Sequence, residues 1–136
     1  MDAEATIREY YAALRAGEPL APFFAPDAGV KFGVSERLVG AEEIAAGLRA
    51  QTETTSDWRV ESDALRVTAR DCHAWFADEV RLAWTDTERD RRLEFDTRWS
   101  GTLEARGAGS GQESTTENRT PDPRFVGMHV STARAI

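Results

Sequence analysis

The sequence predicts an α+β fold, with helices first and then a curved, mostly antiparallel sheet that carries the helices on one face. Three observations support it. Residues Ala3–Arg15 place Ile7, Tyr10, Tyr11 and Leu14 at the i, i+3, i+4, i+7 spacing of an amphipathic helix. From Trp58 onward the chain is a succession of strand-like runs separated by turn signals. Within that region, Arg92–Glu104 alternates Leu93, Phe95, Thr97, Trp99 and Leu103 with Glu94, Asp96, Arg98, Ser100 and Thr102. Such period-two alternation marks a strand with one apolar and one polar face. A row with an acid, a base and hydroxyls suits either water or a polar cavity.

The elements follow in order. Asp2 is positioned to cap the first helix and Gly17 to stop it. Pro19 opens a short second helix through Phe24, closed by Pro26, with Phe23 and Phe24 as core anchors. Gly29–Val34 reads as a strand, and Ser35-Glu36 as a turn into Arg37-Leu38-Val39. Gly40 opens a further helix, Ala41–Thr52, with its stripe at Ile44, Ala45 and Leu48. Glu42 and Glu43 lie in its first turn, where the helix dipole favours negative charge. Trp58–Ala69 and His73–Thr85 read as strands, and Thr85–Arg92 as a polar hairpin connection. The final strand is Phe125–Ser131.

Arg106–Arg124 is rich in Gly, Ser, Thr and Pro and nearly free of apolar residues. It reads as a long, mobile loop, dispensable for folding. Gly107, Gly109 and Gly111 fit neither phosphate-loop spacing, and no helix follows them. The sequon at Asn118 precedes Pro121 and is read as a chance match.

The 136 residues are enough for one domain, 1–136, with a real core. No apolar run reaches the roughly 20 residues of a membrane helix. The N-terminus, MDAEATIREYY, lacks the basic and apolar regions of a secretion signal, so the expected location is the cytoplasm. A net charge of −7 argues against phosphate-backbone binding, so no nucleic acid is expected. Lys31 is the only lysine, which leaves Arg as 16 of the 17 basic residues (17 − 1). That bias fits a GC-rich genome or a high-salt cytoplasm, and codon drift equally well. A lone cysteine, Cys72, excludes an internal disulfide and is read as a reduced thiol at a strand start. With only His73 and His129 and no spaced ligand motif, neither a metal site nor a cofactor is predicted.

Three places carry a family likeness: Gly40-Ala41-Glu42-Glu43-Ile44 at the start of a helix, Ala74-Trp75-Phe76 in a central strand, and Thr97-Arg98-Trp99 followed by Met128-His129-Val130-Ser131. In these the sequence resembles the SnoaL-like branch of the ketosteroid isomerase and nuclear-transport-factor-two-like superfamily. The resemblance implies a cone-like α+β barrel, with the helices on the concave face of the sheet. It departs from the family at 106–124, where relatives have a tight hairpin. It leaves the activity open, since the scaffold carries isomerases, cyclases, dehydratases and non-enzymatic assembly domains.

The likeness to steroid isomerases implies a tyrosine from the first helix and carboxylates on strands. Tyr10 or Tyr11, and Asp96 or Asp78, are of those types, although both tyrosines also suit plain helix packing. The likeness to kinase association domains implies that Arg98 lines the pocket and meets an acidic ligand, for which an Arg fork is suited. An ion pair with Asp96, about 7 Å along the same face, is the alternative. His129 is a candidate acid or base, or a structural residue at a subunit interface. Trp75 and Trp84 differ in strand parity, so one is expected to line the cavity and the other to pack on a partner subunit.

Candidate catalytic residues are thus Asp96, His129 and Tyr11, and candidate ligand-binding residues are Arg98, Trp75 and Tyr10. The expected function is binding of a small acidic or carbonyl-containing molecule, with isomerase, cyclase and hydrolase chemistry open. The alternative is a non-catalytic homodimeric binding or assembly domain. A homodimer through the sheet face away from the helices is expected in either case.

Overall fold

The computed structural model describes residues 2–34, 36–106 and 122–132. Helix α1 spans Ala3–Ala16. Asp2 caps it by accepting from the Ala5 amide at 3.0 Å. Gly17 ends it in the left-handed conformation, with φ of 71°, where a glycine carries no Cβ penalty. The stripe Ile7, Tyr10, Tyr11 and Leu14 is buried throughout. Each such side chain contributes about 1.5–3 kcal/mol on leaving water. Pro19–Phe24 contracts to a single 3-10 turn, Ala21–Phe23, because two prolines in six residues leave too few amide donors for an α-helix.

Strands β1 (Val30–Gly33) and β2 (Glu36–Val39) form a hairpin, followed by α2 (Ala41–Thr54). The expected strand Trp58–Ala69 is two strands, β3 (Thr55–Ser62) and β4 (Arg66–Ala69). Asp63 and Ala64 break it, their amides bonding to Glu79 and to the Asp78 carboxylate instead of continuing a ladder. Strands β5 (His73–Asp86) and β6 (Arg91–Arg106) are longer than read from the sequence, leaving a four-residue turn. Strand β7 spans Asp122–Thr132. Arg106 and 122–124 are therefore strand rather than loop. Their ladder runs on to Arg106↔Asp122, and Pro123 is tolerated beyond the stretch where β1 pairs with β7. The mobile connection read at 107–121 lies outside the described residues.

The sheet order is β2-β1-β7-β6-β5-β3, with β4 also paired to β5. All pairings are antiparallel except β1 with β7. The sheet is curved but not closed, so the cone is open rather than a barrel. Both helices pack on one face of it. There the core is aromatic: the Tyr10 ring meets Phe23, Phe24, Trp99 and Phe125 edge-on at 5.3–6.1 Å. Arg15 ties α1 to β3 through two bonds to the Val60 carbonyl, at 3.1 and 2.8 Å.

Strand β6 fixes the orientation of everything else. Thr97, Trp99 and Leu103 are buried toward the helices, while Asp96, Arg98 and Ser100 are exposed on the opposite face. Of the two settings that suit the polar row, water and a polar cavity, it therefore takes the face away from the helices. Only the apolar row can cover the stripe of α1 without stranding charges beneath it.

Candidate functional site

A cavity of about 120 Å³ lies between the helices and the sheet. At roughly 10–15 Å³ per water position, it has room for several waters or one small organic molecule. Four aromatic side chains line it, Tyr10 from α1, Trp58 from β3, Trp84 from β5 and Trp99 from β6, together with aliphatic Leu14, Val34, Leu82 and Val130. Trp58 and Trp84 stack with centroids 4.8 Å apart and planes inclined by 21°. A bulge in β3 sets Trp58. The register slips between Ser56 and Arg59, and Asp57 takes φ of 52°. The Trp58 indole N–H then donates to Thr55 Oγ1 at 2.9 Å.

A charged pair stands in this wall, beside the polar Gln51 and Thr55. Lys31 of β1 is 5% exposed, and its Nζ bonds to Glu36 Oε1 of β2 at 2.5 Å. Hairpin register brings them together. Gly33 pairs with Glu36, so Lys31 and Glu36 are diagonal neighbours on the inner face. Gly33 also makes room, since a Cβ there would sit 2.5 Å from Glu36 Oε1. Burial, and after it the Glu36 carboxylate, raises the pKa of Tyr10, which stays a neutral phenol.

Tyr11 faces elsewhere. Its hydroxyl donates to Asp78 Oδ2 at 2.8 Å, beneath the sheet. Ser62 Oγ donates to the same oxygen at 2.6 Å, and the Ala64 and Glu79 amides donate to Oδ1 at 3.0 and 2.8 Å. Both carboxylate oxygens are doubly engaged. Tyr11 packs on Trp99 with rings 5.2 Å apart, and neither Tyr11 nor Asp78 lines the aromatic cavity.

The remaining residues expected at the site share the outer face. Arg98 lies opposite Glu79 and Ser131, and His129 opposite Ser100. With Arg66 they border a shallow cleft of about 260 Å³. Asp96 pairs with Arg81 at 3.2 Å rather than with Arg98, and Arg98 has no ion pair among the described residues. Trp75 is 42% exposed, stacked on His73 at 5.8 Å with the Arg70 guanidinium 5.1 Å from its ring. Trp84, not Trp75, is the tryptophan on the cavity side.

Of the residues singled out by sequence, the structure therefore puts Tyr10 in the cavity, joins Tyr11 to Asp78, and places Asp96, Arg98, His129 and Trp75 across the sheet. Sequence reading missed Lys31 and Glu36. The available signal was a charged residue within the short apolar strand Val30–Val34.

The sequence profile of the SnoaL-like domain matches residues 3–109. No curated protein matches significantly. Among solved structures, the chain is similar to a ketosteroid isomerase-like protein from Erwinia carotovora atroseptica, with TM-score 0.71, 17% identity, and coverage of 97% of this chain and 94% of that one. It is also similar to a candidate calcium/calmodulin-dependent protein kinase II association domain from Xanthomonas campestris, with TM-score 0.72, 20% identity, and coverage of 98% and 86%. A nuclear transport factor 2-like superfamily protein from Salmonella enterica gives TM-score 0.73, 14% identity, and coverage of 96% and 88%. At these identities the likeness establishes the fold.

Proposed function

Since the chain belongs to the SnoaL-like domain family, we propose that it binds one small molecule in the cavity between helices and sheet. The ligand has a flat apolar body and a single carbonyl or carboxylate group. The body lies among Trp58, Trp84 and Trp99, and the polar group meets Lys31, with Tyr10 as a neutral donor beside it. The observation that supports this reading is the Lys31–Glu36 pair. An ion pair with a buried Lys31 and a partly exposed Glu36 contributes little to stability compared with packed apolar residues, so its place beside the aromatic side chains suits recognition better than folding.

Tryptophan fluorescence tests it. Three of the four tryptophans line the cavity, and Trp75 lies on the other face. Small aromatic acids, aldehydes and ketones are to be titrated against the wild type, Trp75→Phe and Lys31→Met. The expected result is saturable quenching in the wild type and in Trp75→Phe, with affinity about tenfold or more weaker in Lys31→Met, the size of one lost charged hydrogen bond. If no compound of these classes quenches, the reading fails.

A second reading concerns assembly. The outer face carries the exposed Trp75 and the uncovered row of β6, and it suits a second copy of this chain. In that arrangement Arg98 and His129 serve the interface rather than the cavity.

A further inference from the structure

We propose that Lys31 is a nucleophile that captures a small aromatic aldehyde in the cavity as a protonated imine, with Glu36 carrying the protons. This rests on the cavity's being the ligand site and adds a reaction to it. Lys31 is 5% exposed and belongs to the cavity wall, so a carbonyl carbon that enters the cavity meets its amine there. Glu36 keeps a quarter of its side chain exposed and bonds the amine directly, so it is placed to exchange protons with that nitrogen. Gly33, opposite Glu36, leaves the space its carboxylate occupies.

The step balances without a cofactor. Glu36 takes a proton from the Lys31 ammonium, and the freed lone pair attacks the carbonyl carbon, forming the C–N bond. The oxygen collects two protons in succession through Glu36, and the C–O bond breaks as water leaves. The ammonium and the aldehyde become a protonated imine and one water, and Glu36 ends as it began. The aromatic side chains of the wall favour a planar aldehyde. Carbonyls are the natural partner class, because an amine condenses with them reversibly and needs no activated leaving group.

The chain suits the experiment, since Lys31 is its only lysine and the α-amine is the only other primary amine. Wild-type protein is treated with benzaldehyde and cyanoborohydride, and the benzylated position is read by peptide mass spectrometry. Binding of benzoate, which carries the carboxylate of the proposed ligand class but cannot condense, is followed in parallel by tryptophan quenching. The expected result is labelling of Lys31 about tenfold or more faster than the α-amine and saturating with aldehyde, with both the preference and the saturation lost in urea. Glu36→Gln is expected to slow it about a hundredfold, in the range lost with a general acid–base. If benzoate binds but Lys31 is labelled no faster than the α-amine, the covalent step is overturned and the binding reading stands. If neither compound binds or labels, both fall. Labelling of Lys31 at equal rates in wild type and Glu36→Gln would overturn the role of Glu36.

Discussion

Tyr11 and Asp78 show how a residue pair of catalytic type is built into the fold. Four donors hold the Asp78 carboxylate, and together they tie α1, through Tyr11, to the break between β3 and β4. Tyr11 has its pKa raised, by burial first and then by its bond to that carboxylate. Tyr10 is raised by burial and then by Glu36. These are the only two tyrosines in the chain. A phenol whose folded pKa lies above the unfolded value of about 10 favours the fold fully below that pH. The contribution is lost as pH rises above about 10 toward the folded values. Tyrosinate absorbance should therefore stay absent through pH 10 in the native protein. It should then rise together with loss of the circular dichroism signal, as alkaline unfolding frees both rings. A smooth titration centred near pH 10 in protein that remains folded would count against the burial of either ring. The residue types were legible in the sequence, but their pairing was not. It depends on where a helix 67 positions away crosses β5.

Among the elements, β6 was the most legible and also the most misleading. Its alternation reveals two faces, but alternation alone does not say which one meets the helices. The stripe of α1 decides it, since Ile7, Tyr10 and Leu14 need Trp99 and Leu103 opposite them. The β1–β2 hairpin was less legible for the site, because the meeting of Lys31 with Glu36 depends on a register of four residue pairs. Gly101 of β6 gives an element-scale prediction. A Cβ there would lie 2.7 Å from the Gly127 carbonyl oxygen and 2.9 Å from Phe76 Cε1. Backbone cannot yield as a side chain can, so Gly101→Ala should cost about 1–3 kcal/mol in urea unfolding, the usual range for overpacking. Gly127, its neighbour across the ladder, has no atom nearer than 3.9 Å to a built Cβ. Gly127→Ala should stay within about 0.5 kcal/mol of wild type. Equal losses in the two variants would show that the crowding at Gly101 relaxes.

For the whole molecule, the two sheet faces differ in what they carry. The inner face holds the aromatic cavity and the buried ion pair, and the outer face holds Trp75, Arg98 and His129. If the outer face joins two copies, changes there should alter assembly and leave cavity binding alone. Light scattering at micromolar concentration should return a particle twice the 15.1 kDa of one chain. A chain of charge −7 repels its copy, so association should strengthen as salt shortens the Debye length, from about 30 Å at 0.01 M to about 8 Å at 0.15 M. Trp75→Glu adds charge and removes the exposed ring, and should shift the particle to the monomer mass at every salt concentration. Arg98→Met should change the dimer affinity while preserving ligand quenching of the inner tryptophans. If Arg98→Met instead abolishes quenching and leaves the mass unchanged, then Arg98 acts on the ligand from across the sheet, and the assignment of one role to each face is wrong. A wild-type particle of one chain's mass at high salt would remove the assembly reading and leave the cavity as the sole candidate site.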